Sequence, residues 1–349
     1  MNTNDLDTLK RVDPASGIPD GPLTPRELAG LQRIGSRLAA EEHVAPVNGI
    51  PAADVPARRG KVQRRAVLIG AAGAVAVAGA GVVVVHPFGS GGVAMAATPP
   101  LLDAELAQGR PGQTDLLALA RKAGADKTLP GDAGSHAVRM RAWYLSTAVD
   151  EKERVTSAII PEEITRTWNS DLSGRMVVRT GQPYFPEASP KDSRREGSVE
   201  KPGTVKGDES WPPGSYQPLF RYPLPSDPAR LLATLKTDHP IDANGPGYLA
   251  DVVTDVYKEA TPTPAVRKAV LEVLAAHSGA VSLGTMTDRA GRRGQAFAVD
   301  SSYGGLPNRR VLIFDPATGR LWAKEEVLTK TAGRLNVRIP AVISYELYL

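Results

Sequence analysis

Twenty consecutive residues, Ala66 to Val85, carry neither a charge nor a polar side chain. That length suits a helix crossing a hydrocarbon core of about 30 Å. The run holds seven Val, one Leu and one Ile, with Ala and Gly filling the rest. At about 0.3 to 0.6 kcal/mol for each large aliphatic residue, insertion gains roughly 3 to 5 kcal/mol. Arg58, Arg59, Lys61, Arg64 and Arg65 precede the run, and no Lys or Arg follows until Arg110. This asymmetry predicts a cytoplasmic N-terminus and an external C-terminal portion, as in a single-pass signal-anchor protein of the cell membrane. Export with cleavage is an alternative, because Arg64-Arg65 is a twin-arginine pair and Ala94-Met95-Ala96 provides small residues for cleavage near Ala96. The long lead-in and the length of the apolar run favour the anchor, and a buried helix of a soluble domain is the third reading.

Around this segment the chain divides into four parts. Residues 1–65 form a mixed-charge tail broken by Pro, too poor in large apolar residues for a core of their own and mostly disordered. Within it, Thr24-Pro25-Arg26-Glu27 has capping-box register, and Leu28, Leu31, Ile34 and Leu38 follow on one flank. A short amphipathic helix is expected there, either idle or docking a cytoplasmic partner. After the span at 66–85, residues 86–112 read as a stalk rich in Gly, Ala and Pro.

Residues 113–349 read as an extracytoplasmic α+β domain. Helical patterning at Thr114–Ala123 is followed by β-type alternation at Arg139–Val149, Val155–Ile160, Ile164–Trp168 and Arg175–Thr180. The stretch 183–218 is expected to be a long surface loop. Three helices follow, opened by Asp227-Pro228, marked by Leu249, Val252, Val253 and Val256, and capped by Thr263-Pro264 with Gly279 as a stop. Strands return at Val281–Met286, Gln295–Asp300, Arg309–Asp315, Arg320–Leu328 and Val337–Leu347, with Asp315–Gly319 as a hairpin turn. Strands, then helices, then strands predict an antiparallel sheet packed on a few helices.

Few residues of the chain carry a chemical signature. The chain contains no Cys, so disulfides, thiolate metal sites and a cysteine nucleophile are ruled out. Its five His form neither His-x-His nor His-Glu-x-x-His, and no metal or cofactor is expected. Basic and acidic residues number 42 and 38, a balance too even to suggest a nucleic-acid partner. Gly245-Pro246-Gly247-Tyr248-Leu249-Ala250 fits a dinucleotide pattern on paper, yet it lacks a preceding strand and reads as a turn into a helix. Asp251 and Asp255 share a helix face, as do Asp238 and Asp242, and solvated surface is the expectation for them. The cluster Arg289, Arg292, Arg293, Arg309 and Arg310 is likewise expected to be surface charge.

The stretches Trp143–Thr147, Leu224–Leu232, Gly284–Arg292 and Leu312–Leu321, together with the Arg-flanked span, resemble an uncharacterised family of single-pass actinobacterial membrane proteins often encoded near extracytoplasmic-function sigma factors. That resemblance brings no catalytic residues. At the level of architecture the external domain is similar to the half-open β-barrels of lipoprotein carriers and of a periplasmic sigma-cascade regulator. This similarity implies a curved sheet over a helical plug, with Trp143, Trp168, Phe297 and Phe314 lining an apolar concavity. The expected function is a non-enzymatic, membrane-anchored binding or sensing module, with an envelope lipid or lipoprotein as candidate partner. The alternatives are a lipid or lipoprotein carrier and an exported hydrolase of the cell envelope, the latter pairing Asp251 with Glu162 or Glu163.

Overall fold

The computed structural model describes residues 98–127, 135–149, 155–182 and 201–349. The apolar span, its five flanking cations, the tail helix and the cleavage motif all lie outside these residues. Among the described residues no helix is long and apolar enough to cross a membrane.

Ten strands form one open sheet: β1 (Arg110–Pro111), β2 (Ser135–Val149), β3 (Val155–Asn169), β4 (Gly174–Thr180), β5 (Val205–Trp211), β6 (Val281–Thr287), β7 (Arg293–Ser301), β8 (Asn308–Phe314), β9 (Leu321–Leu328) and β10 (Ala341–Tyr348). Their order is β1-β6-β7-β8-β9-β10-β2-β3-β4-β5, and every neighbouring pair is antiparallel. Two meanders, β2 to β5 and β6 to β9, are thus joined side by side through β10. Among the described residues four helices complete an α+β fold: α1 (Gln113–Ala125), α2 (Pro228–Asp238), α3 (Ile241–Glu259) and α4 (Pro264–His277).

The helix ends follow from local chemistry. Asp227 accepts a hydrogen bond from the Arg230 amide and Thr263 from the Val266 amide, each satisfying a first-turn donor that the helix leaves free. Gly279 adopts φ 61° just past α4, and the β8–β9 turn closes on Asp315, which accepts from the Ala317 amide and the Thr318 hydroxyl. Gly245 breaks α3 with φ 77° and ψ −168°, so the paper dinucleotide motif is a kink into the longer part of that helix.

Apolar side chains leave both faces of β7 to β10. On one face, Phe297, Val299, Leu312, Phe314 and Leu321 meet Leu116 and Leu119 of α1, Val252 and Val256 of α3, and Val270 and Leu271 of α4. On the outer face, Ala296, Ala298, Ile313, Ala323, Tyr345 and Leu347 form a second cluster with Leu101, Leu102 and Trp143. Burial on both faces explains the unbroken apolar run Val311–Phe314.

Three segments depart from the sequence reading. The expected strands 155–160 and 164–168 are one strand, β3, running through Pro161. The Pro161 carbonyl accepts from the Gly181 amide just beyond the end of β4, so its missing N–H falls where the ladder has already ended. Residues 205–211 of the expected 183–218 loop form edge strand β5, whose sequence Val-Lys-Gly-Asp-Glu-Ser-Trp is too polar for its alternation to stand out. Finally, residues 98–112 of the expected stalk lie against the domain: Pro99 and Glu105 are buried and β1 pairs with β6.

Candidate functional site

A buried ionic seam separates α3 from the inner face of the sheet. On α3, Asp251, Asp255 and Lys258 fall at spacings of four and three, one stripe of the helix. From the sheet, Arg310 of β8, Lys324 and Glu326 of β9 and Glu346 of β10 project toward the stripe. Register places Arg310 directly opposite Glu326, and Lys324 directly opposite Glu346, so each cross-strand pair joins unlike charges. All seven residues are at most 5 % exposed. The surface-charge expectation therefore fails for Asp251, Asp255 and Arg310, because α3 lies across the strands and the sheet covers the face that the helix would otherwise present to water.

Asp251 is the hub. Its Oδ1 accepts from Arg310 Nε and from Lys324 Nζ, each at 2.8 Å. Lys258 Nζ lies 2.8 Å from Glu346 Oε1 and 3.3 Å from Asp255 Oδ1. The Tyr348 hydroxyl donates to Glu346 Oε2 at 2.9 Å, and the Tyr144 hydroxyl reaches Oε1 at 3.5 Å. Arg310 also donates to Asn308 and lies 5.8 Å from the Tyr303 ring centre.

Burial opposes charge throughout the seam, and the partners decide the outcome. Burial alone would neutralise Lys324, but the carboxylates of Asp251, Glu346 and Glu326 hold its ammonium above the usual range. Glu346 would be raised by burial, yet Lys258, Lys324 and the Tyr348 hydroxyl bring it below its ordinary value. Glu326 goes the other way: burial and the charges of Asp251 and Glu346 overcome Arg310, which stands 3.8 Å away, and its pKa rises. Four carboxyl groups thus face three cations, with Glu326 the one biased toward its neutral form.

At the C-terminal end of α3 the seam meets an aromatic box around Glu259. That carboxylate accepts from the Tyr216 hydroxyl at 2.7 Å, the Leu219 amide at 2.8 Å and the Tyr222 hydroxyl at 3.3 Å. Trp168 stacks on His136 at 3.9 Å and donates through Nε1 to the Glu259 carbonyl. Arg166 reaches the Lys258 carbonyl. The helix is thereby tied to strands β8 through β3.

The four expected cavity aromatics fall in three places. Phe297 and Phe314 meet edge to face in the main core, 6.1 Å apart. Trp168 belongs to the box, whereas Trp143 stacks on Tyr345 on the outer face, 4.8 Å away. They do not line one concavity, because Trp143 and Trp168 project to opposite faces of the β2–β3 hairpin. Of the hydrolase pair, Glu162 shares the inner face and lies 3.7 Å from Lys206. Glu163 is on the other side, paired with Arg141. Asp251 is enclosed by its two cations and faces no cleft. Arg289, Arg292 and Arg309 also carry buried or half-buried ion pairs, with Glu325, Asp288 and Asp300. Among the described residues no group of three or more metal-ligating side chains gathers.

Two clefts open elsewhere. One of about 430 Å³ is bordered by Arg110, Asp115, Thr285 and Arg293, and one of about 160 Å³ lies at the α3 kink between Lys236, Pro246 and His277. Neither reaches the seam. Comparison with protein-family models, curated proteins and solved structures found no match.

Proposed function

We propose that the chain is a membrane-anchored module whose external domain binds or senses a component of the cell envelope without catalysing a reaction. The observation that carries this reading is the seam. Replacing a buried ion network by apolar side chains of similar volume is often neutral or stabilising, so a domain serving only as a spacer has little use for seven buried ionisable side chains under one helix. A helix held by ion pairs over a polar face can be displaced without exposing a wholly apolar surface. In the finer form of this reading, the sheet curves into a half-open barrel with α3 as its movable plug, and the tail at 1–65 passes the signal to a cytoplasmic partner.

A carrier of lipid or lipoprotein is the second reading, favoured by the helices that pack on the inner face of an open sheet. Two measurements test the proposal. In intact cells stripped of their wall, external protease should cleave the domain and leave the tail; the reverse pattern would remove the anchor orientation. Full-length protein purified from solubilised membranes should retain an envelope lipid or lipoprotein whose readdition speeds amide exchange in α3. Exchange in α3 that stays unchanged with every envelope fraction would count against both readings.

A further inference from the structure

The outer face holds a second buried acid cluster, and one of its members lies in the segment nearest the expected membrane span. Residues 98–111 run over that face as a strap with three polar anchors. The Glu105 carboxylate accepts from the Leu102 amide at 2.8 Å, closing a tight loop. Arg289 donates to the Pro100 carbonyl at 2.9 Å while gripping Glu325 through two bonds of 2.9 and 2.6 Å. Arg309, itself paired to Asp300, donates to the Ala107 carbonyl at 2.6 Å. Glu105 is 1 % exposed, its Oε1 makes no hydrogen bond, and the Glu325 carboxyl is its neighbour. Two buried carboxyl groups thus share one guanidinium, an arrangement that is neutral only with a proton on one of them.

We infer that Glu105 and Glu325 form a proton-bridged latch that fastens the membrane-proximal strap to the domain and releases it as pH rises. The groups facing the Glu105 carboxyl are Glu325 from β9 and Arg289 from the β6–β7 turn, while Arg309 from β8 reaches the Glu105 carbonyl; Tyr345 from β10 and Asp288 stand beside Glu325, with Arg292 behind Tyr345. Burial and the Glu325 charge push Glu105 up to about 9, and the Leu102 amide and Arg289 only partly offset them. A released strap returns Glu105 to water, where its value is about 4.5. The folded value is thus the higher one, so the latch is complete below about 4.5, and the ratio of released to fastened strap grows about tenfold per pH unit until about 9. The range spans the pH that an external domain meets. The latch itself is independent of the function proposed above; its transmission to the bilayer, through the residues between Val85 and Thr98, rests on that reading.

Amide exchange on the full-length chain in lipid nanodiscs tests the latch. Once the ordinary base catalysis of exchange is divided out, opening at Leu102, Glu105 and Ala107 should rise by about tenfold per pH unit between pH 5 and 9. Amides of β8 should not share that slope. Glu105→Gln keeps a neutral side chain in place and should flatten it. A flat slope in the unmodified chain, or the same slope in Glu105→Gln, overturns the latch. Should that variant fail to fold, the comparison of strap with β8 in the unmodified chain decides alone. A flat slope leaves the membrane anchor intact, and a wrong membrane topology leaves the latch intact, so the two ideas fail separately.

Discussion

Asp251 shows how one residue can be indispensable without being favourable. It neutralises Arg310 and Lys324 at once. Its removal leaves two cations buried with too few partners, and Asp251→Ala should lower the unfolding free energy by about 3 to 5 kcal/mol in denaturant titrations. Replacing the hub together with its cations and the carboxyl groups those cations also serve, Asp251→Leu with Arg310→Met, Lys324→Met, Glu326→Gln and Glu346→Gln, leaves only the Lys258–Asp255 pair and should cost far less or even stabilise. That contrast separates a network kept for motion from one kept for strength. Glu346 adds a pH signature. Its folded value lies below its ordinary one, so its contribution is present above about 4.5 and is lost as pH falls through the depressed value. The thermal midpoint should therefore drop on acidification below about 4.5, and Glu346→Gln should blunt the drop. These charges left a trace in the sequence: Asp251 and Asp255 interrupt the mainly apolar run Leu249–Tyr257, Lys258 ends it, and Lys324-Glu325-Glu326 sits between Ala323 and Val327. Individually each trace reads as exposed surface. Only the partner across the gap identifies it as buried, and the partner is some 60 to 100 residues away, beyond the reach of spacing arguments.

At the level of elements, what the chain announces is what it settles locally. Caps at Asp227 and Thr263, the stop at Gly279 and the Asp315 turn each depend on residues a few positions apart, and each lies where the pattern predicts. Thr263→Ala should cost about 1 kcal/mol by freeing the Val266 amide, as measured by thermal or denaturant unfolding. Gly319 is a sharper case. It adopts φ 65°, and a β-carbon there would lie 2.8 Å from both Ala123 and Leu271, so the β8–β9 turn fits against α1 and α4 only without a side chain. Gly319→Ala should destabilise by about 1 to 3 kcal/mol. Strand β5 escaped notice for the opposite reason. Edge strands need little apolar content, since one flank and much of one face remain open, and its polar sequence has the composition of a loop.

Across the whole molecule, the sheet order was beyond inference from local signals. Two meanders could have formed two separate sheets; the register of β10 with both β9 and β2 makes them one. The same holds for the outer face, where a segment that reads as a stalk became a strap because Glu325 and Arg289, more than 180 residues onward, offer it partners. The placement of β10 also governs the order of assembly. It is the last strand in the chain and yet sits near the middle of the sheet, so neither half can meet the other until Tyr348 has been synthesised and delivered. Each meander must wait with one flank unpaired, exposed to any strand that arrives first. A newly made chain would spend that interval in need of an escort, and a chain truncated at Pro340 should persist as two weakly joined halves that bind a holdase chaperone instead of closing.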